Sequence, residues 1–288
     1  MAASDSITTS SSPLPTPSLF SRTTLLSLLF SLALLLTAIL LSRHFLPRPS
    51  PRKQLILHTW HLFDFLIHTL FEGSYLYHSF FSYSTLPAAS SSSSSHDYPH
   101  PASLLTGSSS AGAFLRRPDR RYGPAHSSAP TALLWQEYAH ADSRWANTDT
   151  NIISIELLTV FIAGPLACYI CYLLQQRQPR CVHKRASTTS TDDTRDKNSN
   201  NAATLWFWMT VLATGEIYGG FMTFAPEWLS GNTSLSTGNR MYLWLYLAFF
   251  NGIWIVMPGW CLWVAWSEVR AAFNDGIART EAEGKKER

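Results

Sequence analysis

His68 and Glu72 stand four residues apart inside FDFLIHTLFEGSYLY (Phe63–Tyr77), a hydrophobic stretch that also holds Asp64. Four residues make about one helical turn, so on a helix the imidazole and the carboxyl share a face. Two further carboxyls, Glu156 and Glu216, recur singly in otherwise uncharged stretches. A charged side chain at the centre of a bilayer-spanning helix costs about 2.5–3.5 kcal/mol on insertion scales. A chain that bears this cost in several segments uses the groups inside a bundle. The bland alternative is that they only pair to hold helices together, and Asp64 and Glu216 fit that reading as well as any other. His68, Glu72 and Glu156 exceed what helix packing needs, because two carboxyls and an imidazole can exchange protons or bind a metal ion. A membrane di-iron centre would show many more histidines in repeated short clusters. The other histidines here lie mostly in loops.

Composition agrees with a membrane setting. Of the 288 residues 46% are hydrophobic and only 14% charged, and serine-rich polar stretches dilute long apolar runs to a mean hydropathy near zero. A net charge of +3, in short clusters rather than a stripe, argues against a nucleic-acid partner. Cys168, Cys171 and Cys261 fall in apolar segments and Cys181 in a polar loop, which is neither a disulfide framework nor a zinc site.

The elements that must position the ionisable groups follow from the charge pattern. Residues 1–22, rich in Ser, Thr and Pro, read as a disordered leader. Residues 23–42 are uncharged over 20 positions between Arg22 and Arg43, long enough for a first spanning helix. The second span, 54–83, carries Asp64, His68 and Glu72. Residues 84–130, with six consecutive serines at 90–95, read as a disordered insertion. LLWQEYAHADSRW, from Leu133, suits a membrane interface. The third span, 151–174, holds Glu156 and a kink signal at Gly164-Pro165. A polar loop follows over 175–203. The fourth span, 204–228, contains Glu216 and is expected to end at Pro226, and the fifth, 241–267, is charge-free over 27 residues. Residues 271–288 form a tail. The fold class expected is therefore all-α, a polytopic membrane protein with five transmembrane helices in a bundle.

Five spans put the termini on opposite sides. Loops 43–53 and 175–203 and the tail hold most of the Lys and Arg, which predicts a cytosolic C-terminus and a lumenal N-terminus. Lys285 and Lys286 then form a cytosolic KKxx ending of the kind that retrieves proteins to the endoplasmic reticulum. Asn232-Thr233-Ser234 becomes a lumenal sequon close to the membrane. In this orientation Glu72 and Glu156 sit at similar depths, Glu216 and Tyr218 lie near the middle of the fourth span, and Asn251 and Trp254 share a face of the fifth. The depths suit one polar pocket.

Four stretches together resemble one family: FLIHTLFEGSYL, LLWQEYAHADSRW followed by SIELLT, GEIYGG, and YLWLYLAFFNGIWIVMPG. They are similar to the emopamil-binding-protein family of 3-beta-hydroxysteroid Delta8-Delta7 isomerases, within the EXPERA group. The likeness covers roughly residues 54–83 and 131–270. It implies an EXPERA-like sterol isomerase domain over 54–270, of a fungal type with a serine-rich insertion. Trp145 stands where the family commonly has tyrosine.

The resemblance implies an intramembrane sterol cavity and a shift of the C8=C9 double bond to C7=C8 through a C8 cation, in ergosterol-type biosynthesis. It places His68, Glu72 and Glu156 as catalytic groups, with Thr159, Tyr138, Tyr218, Asn251 and Trp254 around the sterol. An acid that protonates an unactivated alkene must start out neutral, which an apolar bundle favours. Glu72 with His68 is the expected donor side and Glu156 the acceptor. Trp254 is expected to offer its ring face to the cation, and Asn251 to orient a carboxyl. Such a proton shift is redox-neutral, so no cofactor and no metal are expected. The expected partners are a sterol within the lipid membrane and amphiphilic amines that imitate the cation, and a homodimer is compatible with this. The competing class is a non-catalytic EXPERA sterol or lipid binder.

Overall fold

The computed structural model describes residues 22–86, 113–177 and 192–286, and within these the chain is mostly helical. The leader, the serine run and Cys181 lie outside the described residues. Helix α1 is Arg22–Phe45. Helix α2 runs through residues 52–81 as an α-helix Arg52–Leu66, a π-helical turn Ile67–Glu72 and a second α-helix Gly73–Phe81. A short α3 spans Pro130–Tyr138, with proline in the first turn where no N–H is needed. Helix α4 is Thr150–Leu158, a π-turn Thr159–Ala163 and Gly164–Gln176. Its start is fixed by Asp149, whose carboxylate accepts from the Asn151 and Ile152 N–H groups at 2.9 and 3.0 Å. Helix α5 spans Asp192–Ser230, and α6 is a π-helix Tyr242–Phe250 continued by Asn251–Lys286.

Three of these helices are long and apolar enough to cross a membrane by length and composition: Arg22–Phe45, Thr150–Gln176 and the helix from Tyr242. Residues 52–81 and α5 hold Asp64, Glu72 and Glu216, and they pack lengthwise against the other three. Large apolar side chains point outward along the helices, among them Leu26, Phe161, Trp244 and Val256. An outer surface of this kind fits lipid rather than water.

Two apolar clusters occupy the interior. One, around Leu57, Trp60, Ile170, Leu174, Leu205, Met209 and Val264, joins α2, α4, α5 and α6. The other, around Tyr75, Trp135, Trp145, Ile152 and Ile153, joins α2, α3 and α4. The residues with chemistry lie on α2 and α4 between these clusters. At one end of the molecule Glu268 takes ion pairs from both Lys53, at 2.5 Å, and Arg177, at 2.7 Å. At the other, the segment after α3 is bonded to the 230s: Ser143 N–H to Ser234 O at 3.0 Å, and Ser236 N–H to Ala141 O at 2.8 Å.

Helix α1 is more than an anchor. Thr23 and Thr24 hydroxyls donate to the Glu137 carboxyl on α3 at 2.9 and 2.6 Å, and Ser42 meets His58 Nδ1 at 2.8 Å. Three expectations change. First, the stretch 84–130 is structured at both described edges. Strand β1, Tyr83–Thr85, pairs antiparallel with β2, Arg120–Tyr122, and Arg120 lies 4.0 Å over the Tyr83 ring. The aromatic edge supplies order that serine-rich composition conceals. Second, the polar 175–203 loop is helical from Asp192 onward, as the first part of α5. Third, α5 continues through Pro226 to Ser230. A proline leaves the carbonyl four residues back without its donor. Here Asn151 Nδ2 donates to Met222 O at 3.0 Å and Arg144 Nη1 to Thr223 O at 2.9 Å, so the helix survives.

Candidate functional site

His68 lies in the π-turn of α2 and is almost fully buried. Its Nδ1 is hydrogen-bonded to Glu72 Oε2 at 2.5 Å. Its Nε2 lies 3.0 Å from Asp64 Oδ1, close enough for an ion pair but without hydrogen-bond alignment. The imidazole is thus flanked by carboxyls one turn before and one turn after it. A π-turn holds an extra residue per turn and re-aims the side chains around it, which is why such turns gather at functional sites.

The facing π-turn of α4 stands opposite that of α2. Glu156, buried just before it, receives the Thr159 hydroxyl on Oε2 at 3.0 Å. The Glu156 carboxyl also lies beside that of Glu72. A hydrogen bond between them would need an O–H on one of the two, since an ionised carboxylate only accepts. On the other side of His68, Asp64 lies within 4.8 Å of Glu216 of α5. The ionisable groups therefore form one continuous chain through three helices, in the order Glu156, Glu72, His68, Asp64, Glu216.

Gly164 permits the close approach of α2 and α4. A Cβ there would lie 3.3 Å from His68 Cβ and 3.5 Å from both Thr159 O and Thr69 Oγ1.

Trp254 of α6 joins the chain through its indole N–H, which donates to Asp64 Oδ1 at 3.3 Å, while its ring packs against Trp60 and Phe63. Asn251 does not reach a carboxyl. Its amide donates to the Tyr138 hydroxyl at 3.0 Å and to Tyr246 O at 2.9 Å, locking α3 onto α6 beside the cluster. Burial and neighbouring acids push the Tyr138 phenol well above its usual range, so Tyr138 stays neutral there. Tyr218, two residues after Glu216 and hence on another helical face, is 63% exposed. Trp145 stacks on Trp135 with centroids 4.8 Å apart, so the indole occupies that position as packing.

Sequence reasoning left Asp64 and Glu216 undecided, and the geometry puts both in the cluster. One ligand atom each from Asp64, His68 and Glu216 lies within 4.8 Å of the others, so by distance they could also hold a metal ion. Arg144 and Asp142, read only as interface residues, form a buried pair at 2.6 Å with Glu227 nearby. Their signal was present in the sequence as an Asp-x-Arg beside aromatic residues, yet their partners on α5 lie about 80 residues away.

The chain as a whole can shuttle protons between two carboxyl pairs through an imidazole, within an apolar bundle. Its likeness to known proteins is as follows. Residues 130–265 match the family model EBP, described as EXPERA (EXPanded EBP superfamily). The chain is similar to the 3-beta-hydroxysteroid-Delta(8),Delta(7)-isomerase of Cavia porcellus, 32% identical over 127 residues, which are 44% of each protein. It is 23% identical over 161 residues to the probable 3-beta-hydroxysteroid-Delta(8),Delta(7)-isomerase of Arabidopsis thaliana, covering 56% of this chain and 60% of that protein. Isomeliandiol synthase MOI2 of Melia azedarach is 24% identical over 140 residues, 49% and 54% of the two chains. The chain thus spans about half the length of the curated relatives it matches. Asp64, His68 and Glu72 lie before the matched domain, and Trp254 within it bonds to Asp64. Over residues 130–265, a little under half of the chain, this protein is similar to the EXPERA family.

Proposed function

We propose that this chain is a sterol Delta8-Delta7 isomerase working inside a membrane. The observation that carries the reading is the position of Glu72, hydrogen-bonded on one side to His68 Nδ1 at 2.5 Å and adjacent on the other to the Glu156 carboxyl. Moving the double bond needs one proton added at C9 and another removed at C7. In our reading the Glu72 O–H, backed by His68, gives its proton to C9, a C9–H bond forms, and positive charge develops at C8. The C7–H electron pair then becomes the C7=C8 bond, and that proton goes to Glu156. Transfer between the two adjacent carboxyls returns the proton from Glu156 to Glu72, so the cycle closes without any other reactant. Thr159 holds Glu156 in place, and the anionic side of the chain stabilises the cation in a low-dielectric setting. Lipophilic amines, whose ammonium imitates the C8 cation, would compete with the sterol.

The same reading makes residues 52–81 and α5 spans in their own right, giving five helices around a sterol cavity. Their packing against the three apolar helices supports this, and their acids are the reason composition alone does not single them out. The endoplasmic reticulum membrane, with the N-terminus lumenal and the C-terminus cytosolic, fits the gathering of Lys53, Arg177 and Glu268 at one end. Relatives that carry other names leave the substrate's side chain and ring system open to test.

The test is expression in a yeast strain lacking its own isomerase, fed a Delta8 sterol. Growth with Delta7 product supports the enzyme. Sterol binding without product would make the chain a non-catalytic lipid binder.

A further inference from the structure

The proposed chemistry leaves Asp64 unused, yet it is wholly buried and touches groups on three helices. It faces His68 Nε2 on its own helix at 3.0 Å, receives the Trp254 indole N–H from α6 at 3.3 Å, and lies within 4.8 Å of Glu216 of α5. A role in helix packing would be met by Glu216 and Trp254 alone. It would not need a carboxyl placed against the second nitrogen of an imidazole whose first nitrogen already holds Glu72.

In a neutral imidazole one ring nitrogen donates and the other accepts, and the partner of one nitrogen decides the role of the other. A carboxylate 3.0 Å from Nε2, even off the hydrogen-bond axis, favours the proton on that nitrogen through its charge. That leaves the Nδ1 lone pair turned to Glu72, where it accepts the carboxyl O–H. With a neutral donor in place of Asp64 the preference inverts, and Nδ1–H would occupy the Glu72 oxygen. The indole N–H of Trp254 points at Asp64 and supports its anion, and Glu216, within 4.8 Å, can add a second donor when it carries a proton.

We propose that Asp64, backed by Glu216 and Trp254, is a positioning residue that holds His68 as its Nε2–H tautomer and so keeps the Nδ1 lone pair as the acceptor that orients the Glu72 O–H. This rests on the reading of His68 and Glu72 as the proton-donor side, so one readout must stand without activity.

The test uses the full chain in lipid nanodiscs. Histidine-selective 15N spectra, with His68 assigned by its loss in His68→Gln, should show the Nε2–H form in the unaltered protein and the Nδ1–H form in Asp64→Asn. On a Delta8 sterol, Asp64→Asn should lose roughly 10²-fold or more in kcat, with KM changed by no more than about twofold. Glu216→Gln still offers an N–H to Asp64 and should keep the Nε2–H form of His68, whereas Glu216→Leu should shift it toward the Nδ1–H form. An Nδ1–H His68 in the unaltered protein, or an unchanged kcat in Asp64→Asn, overturns the proposal. So does reversible loss of activity with a chelator and its recovery on adding Zn²⁺, which would make Asp64, His68 and Glu216 a metal site. If the unaltered protein makes no Delta7 sterol, the isomerase reading falls, and the tautomer comparison alone decides the role of Asp64.

Discussion

Gly164 of α4 packs directly on His68 of α2, leaving only 3.3 Å between His68 Cβ and the place where a side chain at 164 would begin. That spacing is tighter than ordinary carbon–carbon contact, so anything larger than hydrogen pushes the imidazole away from its carboxyls. Gly164→Ala gains helix propensity of about 0.8–1 kcal/mol, which offsets part of the clash. We expect its thermal midpoint in detergent to change little while isomerisation drops by about tenfold or more, since an ångström of misplacement is costly in catalysis. Gly164→Val should lose roughly 1–3 kcal/mol of stability as well. Full activity in Gly164→Val would mean the close approach is not needed.

Single replacement of His68, Glu72 or Glu156 separates chemistry from folding. His68→Ala, Glu72→Gln and Glu156→Gln should each reduce product formation by roughly 10²–10⁴-fold, while the protein remains in the membrane fraction. Thr159→Val removes one hydroxyl bond to Glu156, which lies at 3.0 Å, and should cost about tenfold. Sterol product measured after membrane isolation decides each case. Substantial activity in any of the first three would take that residue out of the mechanism.

What was legible beforehand follows from cost. An ionisable group in an apolar helix is expensive, so Asp64, His68, Glu72, Glu156 and Glu216 stood out against their surroundings, and spacing placed His68 with Glu72. The π-turns were not legible, because the same residue types build α- and π-turns. Those turns decide that Glu72 faces Glu156 and that Asn251, just beyond a third π-segment, meets Tyr138 rather than a carboxyl. Partners far apart in the chain were also hidden. Glu137 reads as an interface residue until Thr23 and Thr24 are found bonded to it. Pro226 reads as a terminator because its remedy comes from Asn151 and Arg144 on other elements.

The Asp142–Arg144 pair makes a stability prediction outside the spans. Burial works against the Arg144 charge, but hydrogen bonds to Asp142 more than offset it and hold the guanidinium above its usual range. A group whose folded value is raised contributes stability below its unfolded value and loses it only as pH rises through the folded one. The contribution of Arg144 should therefore be constant between about pH 7 and pH 10. Arg144→Leu strands the Asp142 carboxylate and takes the donor from Thr223 O, so it should cost about 3–5 kcal/mol at neutral pH. Thermal melts followed by tryptophan fluorescence measure it, and a loss below about 1 kcal/mol would show that the pair is solvated instead.

Trp254 gives the last test, because its indole N–H and its ring have different tasks. The N–H is tied to Asp64 at 3.3 Å, which fixes the plane of the ring between Trp60 and Phe63. Trp254→Phe keeps an aromatic face but drops the bond, whereas Trp254→Leu drops both. If the ring stabilises a cation, a lipophilic tertiary amine should bind Trp254→Leu about 10–30-fold more weakly, matching about 2 kcal/mol for a desolvated cation–π contact. Trp254→Phe should retain most of that affinity and lose kcat through Asp64. Equal amine affinity in all three proteins would remove the ring from cation binding and leave Trp254 only its hydrogen bond to Asp64.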